Sequence, residues 1–249
     1  MLSSIYTAAY VISDPLRHVR VLVSGVSDVS RAVEGADYVT GEDDEAPLEL
    51  RHLKYVKVAL PSTPRFEASH AFKYVPVTNV VDPKTVVLGG TFDHLHQGHL
   101  ILLSMAALLA EEKLICGVYD FANTPQRLLK KANHEFMESL DARIKAVEEF
   151  LRLFKPNLQY RIEGILDDFG PTRNEPDMQV IVASGETEQG CLAVNKLRKE
   201  NGLCELDIYL IGVVANPELE GKGSENFADK ISSSFLRRYL SEQAEKTPK

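Results

Sequence analysis

The sequence predicts an α/β protein: a doubly wound parallel sheet with a small N-terminal α/β extension. Three observations carry this. From Lys84 onward, apolar segments of strand length alternate with segments of helical spacing. A turn rich in glycine and histidine, Gly89 to His99, lies directly between the first of those strands and the first helix. No internal repeat or low-complexity tract interrupts the alternation. Such a fold places its site at the carboxyl ends of the strands, where the strand order reverses.

Taken in order, Val19 to Val23 and Tyr55 to Leu60 are rich in β-branched and aromatic side chains and read as strands, while Gly41 to Pro47 reads as an acidic turn or loop. Residues 1–83 therefore form a small α/β unit, and no chemical constellation stands out in it. A packing or interaction role is expected for it, with a boundary near Asp82-Pro83. Residues 84–249 form the second unit. Its expected strands are Thr85 to Leu88, Leu114 to Tyr119, Leu158 to Ile162, Gln179 to Ala183 and Leu206 to Val214. Its expected helices are Gly98 to Glu111, Met137 to Phe154, Gly190 to Lys199 and Ser232 to Glu245.

Composition narrows the function classes. The chain has 249 residues, 44% hydrophobic and 26% charged, enough for a full core. No apolar run approaches the roughly 18 residues of a membrane span. The formal net charge of -8 argues against a nucleic-acid partner held by a basic face, so any phosphate must be gripped locally. Cys116, Cys191 and Cys204 are odd in number and form no C-x-x-C pair, so they are expected to be reduced and buried rather than bridged or bound to zinc. The apolar first dozen residues lack a basic start, and Asp14-Pro15 follows. No secretory or transit peptide is expected, and the default location is the cytosol.

The stretch Gly89-Gly90-Thr91-Phe92-Asp93-His94-Leu95-His96-Gln97-Gly98-His99 carries the most chemistry. Gly89 and Gly90 permit a tight turn at the strand end, and Gly98 clears the helix start of a side chain. First-turn amides and the helix dipole then favour an anion there. His96 and His99 flank Gly98 and can converge on one phosphorus, donating hydrogen bonds that strengthen as charge builds in a transition state. His94 reads equally well as a structural histidine. A metal site using His94, His96, His99 and Asp93 is the rival chemistry, but it requires neither Gly-Gly-Thr nor the second phosphate-like motif.

That motif is Ile231-Ser232-Ser233-Ser234-Phe235-Leu236-Arg237-Arg238, three hydroxyls at an expected helix start with arginines one turn on. Serines there are ordinary helix caps. Together with the histidines, however, two helix starts at one sheet edge can hold a triphosphate between them.

The strand followed by Gly-Gly-Thr-Phe-Asp, then His96-Gln97-Gly98-His99 and Ile231-Ser232-Ser233-Ser234, resembles the nucleotidylyltransferase superfamily, with its H-x-G-H and Ile-Ser-Ser-Ser/Thr motifs. Within it the chain looks most similar to the eukaryotic-type phosphopantetheine adenylyltransferases. Leu128-Leu129-Lys130-Lys131, Ser184-Gly185-Glu186-Thr187 and Asn195-x-x-Arg198 add to that resemblance, which runs from about Lys84 to Leu240. It implies a Rossmann-like fold and transfer of AMP from ATP to 4'-phosphopantetheine by direct in-line attack.

The resemblance also implies residue roles. His96 and His99 would stabilise the transition state at the α-phosphorus, Thr91 would hold the acceptor phosphate, and Lys130 or Lys131 would neutralise the meeting phosphates. ATP would lie against Gly89, Gly90, Thr91, Phe92, Gly98 and His99. Glu186 and Thr187 would sit near adenine and ribose, or merely cap a helix, while Ser232, Ser233, Ser234 and Arg237 would grip the β- and γ-phosphates. Magnesium would arrive on ATP oxygens, without a protein metal cage.

No G-x-x-x-x-G-K-[ST] run occurs, so a dephospho-coenzyme A kinase step is expected elsewhere. Gly221-Lys222-Gly223-Ser224 lacks that spacing. Other nucleotidylyltransferases remain alternatives. Cytidylyltransferases usually carry Arg-Thr-Glu-Gly before the serines, where this chain has Ala228-Asp229-Lys230. Mononucleotide adenylyltransferases differ mainly in the lysine and Ser-x-Glu-Thr segments. A nucleotide-binding regulator without turnover would ordinarily have lost a histidine of the motif.

Overall fold

The computed structural model describes residues 82–211 and 232–246, together with the backbone of 39–41 and 55–57. Val39–Gly41 (β1) and Tyr55–Lys57 (β2) pair in parallel, with Val39 opposite Tyr55. The second of these falls within the expected strand Tyr55 to Leu60. Val19 to Val23, and the expected loop beyond Gly41, lie outside the described residues.

The larger sheet has five strands, all parallel: β3 (Thr85–Gly90), β4 (Lys113–Tyr119), β5 (Gln159–Ile165), β6 (Val180–Ser184) and β7 (Asp207–Ile211), in the order β5-β4-β3-β6-β7. The chain moves from β3 outward to β4 and β5, then crosses back to β6 on the other side of β3. The order therefore reverses between β3 and β6, so the segments leaving these two strands border the crevice such a sheet offers a ligand.

The described helices are α1 (Gln97–Leu109), the single turn α2 (Pro125–Leu128), α3 (Leu140–Phe154), α4 (Glu188–Glu200) and α5 (Ser233–Lys246), of which α1 and α3 cover one face of the sheet and α4 the other. The period of two along β3 divides the core. Val86 and Leu88 join Leu103, Ala106, Val147 and Leu151 of α1 and α3, while Val87 joins Cys191 and Val194 of α4 on the opposite face. Fully buried side chains such as Leu103 and Leu151 each contribute about 1.5–3 kcal/mol by leaving water.

The elements have local causes. Ser139 caps α3, its Oγ accepting from the Ala142 N–H at 3.2 Å. Val147, Leu151 and Phe154 then form its buried stripe. The end of α1 is satisfied from α3's terminus, where Lys155 Nζ donates to the Ala107 and Ala110 carbonyls at 3.0 and 2.6 Å.

Asn195-x-x-Arg198 has an architectural purpose. Asn195 exchanges two hydrogen bonds with the Leu206 backbone, both 2.8 Å, and buried Arg198 donates to the carbonyls of Cys204, Thr172 and Glu175. Together they fix α4 to the loop that enters β7.

The structure departs from the expected boundaries by as much as three residues at two ends. α3 begins at Leu140 rather than Met137, because the preceding residues form a 3-10 turn, His134–Phe136, and then an extended link. β5 runs on to Ile165 because it pairs with β4 as far as Tyr119. The expected strand Leu206 to Val214 is described only to Ile211. All three cysteines are free, with Cys116 and Cys191 buried; Cys204 corrects the expectation by being exposed in the turn whose carbonyl serves Arg198. Among the described residues, no helix is long and apolar enough to cross a membrane.

Candidate functional site

β3 ends in Gly89 and Gly90. A Cβ at Gly90 would lie 3.1 Å from the Phe92 ring, so glycine lets that ring fold back beneath the strand end. Phe92 and His94 both hold left-handed backbone, at φ 50° and 46°, which costs a non-glycine residue of order 1 kcal/mol or more.

A buried polar network holds the turn in that form. Asp93, fully buried, accepts from the Glu138 N–H at 2.9 Å, and the Glu138 carboxylate accepts from the His94 N–H at 2.6 Å. Arg143, also buried, donates from Nε to the Glu138 carbonyl at 3.0 Å and from Nη1 to the Thr91 carbonyl at 2.7 Å. His94 donates its ring Nε2 to the Phe136 carbonyl at 2.8 Å, which makes it a structural histidine.

Helix α1 then starts open. Its N-cap, His96, makes no side-chain cap, and Leu100 is the first residue whose N–H reaches back to the His96 carbonyl, at 3.0 Å. The amides of Gln97, Gly98 and His99 thus have no partner within the helix, and the positive end of its dipole lies with them. A Cβ at Gly98 would meet the His96 ring at 3.2 Å, so glycine is what lets that ring lie across the helix start. The His96 and His99 rings stack, with centroids 3.8 Å apart, and Phe92 flanks His99 at 5.4 Å.

Each of these two residues is partly exposed, but its Nδ1 is sealed from solvent and has no hydrogen-bond partner among the described residues. Desolvation lowers the His96 pKa to about 4, with His94 adding to the effect, and burial followed by the neighbouring His96 pushes His99 well below its ordinary value. Both imidazoles are therefore neutral at pH 7, a pair of uncharged rings with unused polar atoms at an anion-favouring helix end.

The sign of the resulting pH dependence follows. The unfolded chain binds protons on these histidines near pH 6.5 and the fold resists them, so stability is full above about pH 6.5 and falls as pH drops toward 4. Urea midpoints at pH 7.5, 6 and 5 should decline in that order, and replacing His96 by Asn should flatten the decline.

The other expected residues fall as follows. Lys130 and Lys131 are exposed just after α2, and neither ammonium has an ion-pair partner among the described residues. Glu186 and Thr187 are exposed in the turn after β6, across the sheet's reversal from Gly89 and Gly90, and Thr187 donates to the Ser184 carbonyl at 3.0 Å. Ser232 caps α5, accepting from the Phe235 N–H at 3.2 Å, while Ser233 and Ser234 open the helix.

Arg237 differs from the expectation that it faces phosphate. It is 1% exposed, and its donors go to protein groups: Nε to the Ala132 carbonyl, Nη1 to Asp93 Oδ2, and Nη2 to Ser234 Oγ. A side chain so enclosed braces the site from behind. Through it, the histidine turn, the lysine segment and the serine helix become neighbours.

Glu138 and Arg143 are the residues that motif reading passed over. Arg143 carried a signal nonetheless: it sits four residues before Val147 and eight before Leu151, on the buried stripe of α3. The only described group with metal-ligand geometry is Asp93, His94 and Glu138. Three of its four carboxylate oxygens already accept, from Arg237, the Glu138 N–H and the His94 N–H, and the His94 ring donates to the Phe136 carbonyl, so too few free oxygen ligands remain for a hard cation.

Residues 87–238 match the family model described as cytidylyltransferase-like. The chain belongs to the cytidylyltransferase-like family. Among relatives of this cytidylyltransferase-like protein, a phosphopantetheine adenylyltransferase of Saccharomyces cerevisiae is 36% identical over 160 residues, 64% of this chain and 50% of that one. A phosphopantetheine adenylyltransferase of Methanopyrus kandleri is 35% identical over 159 residues, 64% of this chain and 92% of that one. An uncharacterized protein of Schizosaccharomyces pombe is 36% identical over 159 residues, 49% of its length. The cytidylyltransferase-like chain thus spans about half the length of its two yeast relatives and nearly all of the archaeal one. Among solved structures, a protein of unknown function from Archaeoglobus fulgidus aligns at a TM-score of 0.43 and 26% identity, over 51% of this chain and 88% of that one.

Proposed function

We propose that this cytidylyltransferase-like protein transfers the adenylyl group of ATP to 4'-phosphopantetheine, giving dephospho-coenzyme A and pyrophosphate. The observation that carries the reading is the stacked pair of neutral histidines, His96 and His99, at the uncapped start of α1. The named relatives in yeast and in an archaeon favour phosphopantetheine as the acceptor.

In this reading an oxygen of the acceptor phosphate attacks the α-phosphorus of ATP. The bond from that phosphorus to the α–β bridging oxygen breaks, and pyrophosphate leaves. The nucleophile is already an anion at neutral pH, so no general base and no covalent enzyme intermediate are required. Catalysis reduces to alignment and to stabilisation of charge as it develops. Neutral imidazole donors suit that purpose, because they strengthen their bonds to a phosphoryl oxygen as its charge rises.

Thr91, whose carbonyl is fixed by Arg143, would align the acceptor. Lys130 or Lys131 would neutralise the approaching phosphates. Ser234 accepts a hydrogen bond from Arg237, which leaves its hydroxyl proton to donate to the β- or γ-phosphate alongside Ser232 and Ser233. Glu186 and Thr187, at the carboxyl end of the strand beside β3, would contact adenine and ribose. Magnesium would come as part of the nucleotide substrate, on its phosphate oxygens. A cytosolic location accompanies this reading.

Pyrophosphate release with magnesium and ATP tests it, comparing phosphopantetheine with nicotinamide mononucleotide, and with CTP plus glycerol phosphate alongside. Release with ATP and phosphopantetheine together, and formation of dephospho-coenzyme A, is the expected result. Release only with another pair would reassign the substrates, and silence with every pair would overturn the enzymatic reading.

A further inference from the structure

Three segments with chemical character converge from distant parts of the sequence: the histidine turn at 91–99, the lysine segment at 130–133 and the serine helix from 232. One buried side chain touches all three. Arg237 donates to the Ala132 carbonyl at 2.9 Å, to Asp93 Oδ2, and to Ser234 Oγ at 3.2 Å. Its partner Asp93 extends the connection, since its other oxygen accepts from the Glu138 N–H at 2.9 Å, and the Glu138 carbonyl accepts from Arg143, which also holds the Thr91 carbonyl.

We propose that Arg237, paired with Asp93, is a positioning residue that locks the serine helix, the lysine segment and the histidine turn into one rigid frame, so that the two ends of a bound triphosphate are set at a fixed spacing. In its catalytic part this rests on the nucleotidyl-transfer reading above.

The geometry favours positioning over simple filling of space. Both side chains are almost wholly enclosed, at 2% and 0% exposure, and an apolar pair of similar volume would stabilise such a site as well or better. What apolar side chains cannot supply is directionality. A guanidinium presents its donors in a fixed planar fork, and here the fork reaches two distant segments, at Asp93 and Ala132, while also holding Ser234 of its own helix. Lysine, with a single point charge on a flexible stem, could satisfy one or two of them without fixing their mutual orientation.

The test uses the full chain with Arg237→Met, Asp93→Asn, the double variant and Arg237→Lys. Thermal midpoint, amide hydrogen exchange over 91–96 and 129–138, and kcat with KM for ATP are measured for each. Each of the first two single variants strands a buried group and should lose thermal stability. The double variant strands neither member of the pair, and Arg143 keeps Glu138 and Asp120 as counter-charges, so it should regain at least half of that loss. The frame would still be broken in it, so the amides of Lys131, Phe136, Met137 and Glu138 should exchange at least tenfold faster than in the unaltered protein. Its kcat should be at least tenfold lower at temperatures where it is fully folded. Arg237→Lys should recover thermal stability more than turnover.

A double variant that regains stability together with normal exchange and normal kcat would overturn the proposal, because the pair would then merely fill space. Unchanged exchange and kcat in Asp93→Asn would also overturn it, since Arg237 would then act without its partner. If the unaltered protein turns over no substrate pair, the nucleotidyl-transfer reading fails, and exchange over 129–138 alone decides whether the frame exists.

Discussion

Replacing His99 by alanine is expected to raise the barrier to adenylyl transfer by about 2–4 kcal/mol, lowering kcat roughly 30- to 900-fold, the usual scale for one preorganised donor at a developing oxyanion. The same substitution should cost the fold little, about 1 kcal/mol or less, because the ring it removes buries an Nδ1 with no described partner. The separation of these two effects is the diagnostic part. A residue that serves packing loses stability first and activity in proportion. A residue held ready for a transition state loses activity alone, with KM for ATP changed far less than kcat. Steady-state kinetics beside a urea titration measure both, and unchanged kcat in a folded His99→Ala protein would remove the ring from the mechanism.

Sequence periodicity carries most of the scaffold because burial enforces it. Val86, Val87 and Leu88 alternate between two cores, and the stripe of α3 recurs at helical spacing, so strands and helices are recognisable from apolar positions. Boundaries were less legible wherever a distant contact decides them. Met137 and Glu138 stay out of α3 because the Glu138 N–H is bonded to Asp93, forty-five residues earlier. No local pattern encodes that bond.

The same holds at the candidate site. The residues at the two helix starts, His96, His99 and the serines, show themselves as motifs. The residues that hold them do not, because a buried arginine and a solvated one are the same letter. Arg143, Arg198 and Arg237 are each almost fully buried, and each ties loop carbonyls that would otherwise lack partners. Their position was nevertheless detectable in principle. Arg143 precedes Val147 and Leu151 on one helical stripe, and Arg198 follows Cys191 and Val194 on another. A cation on an apolar stripe has to find acceptors inside the protein, and in this fold those acceptors are carbonyls of the loops that join strands and helices.

Arg143 is where that logic predicts the largest loss of stability. Its guanidinium serves two carbonyls, those of Thr91 and Glu138, and lies over the Phe121 ring at 5.4 Å. Burial lowers its pKa, while Asp93, Glu138 and Asp120 oppose the shift, so the cation is retained by its surroundings. Arg143→Met keeps much of the volume and removes the donors. Two part-buried carbonyls would then be left without their donor, at about 1–3 kcal/mol each, for a total loss of about 2–6 kcal/mol in urea-unfolding stability with an unchanged m-value. The turn should also relax, because Phe92 and His94 keep left-handed backbone only while neighbouring bonds impose it. Activity should therefore fall even at temperatures where the variant is folded, through Thr91 and the histidines that follow it. A loss below about 0.5 kcal/mol would place Arg143 among ordinary surface substitutions, and the left-handed turn would then have to be held by Asp93 and Glu138 alone.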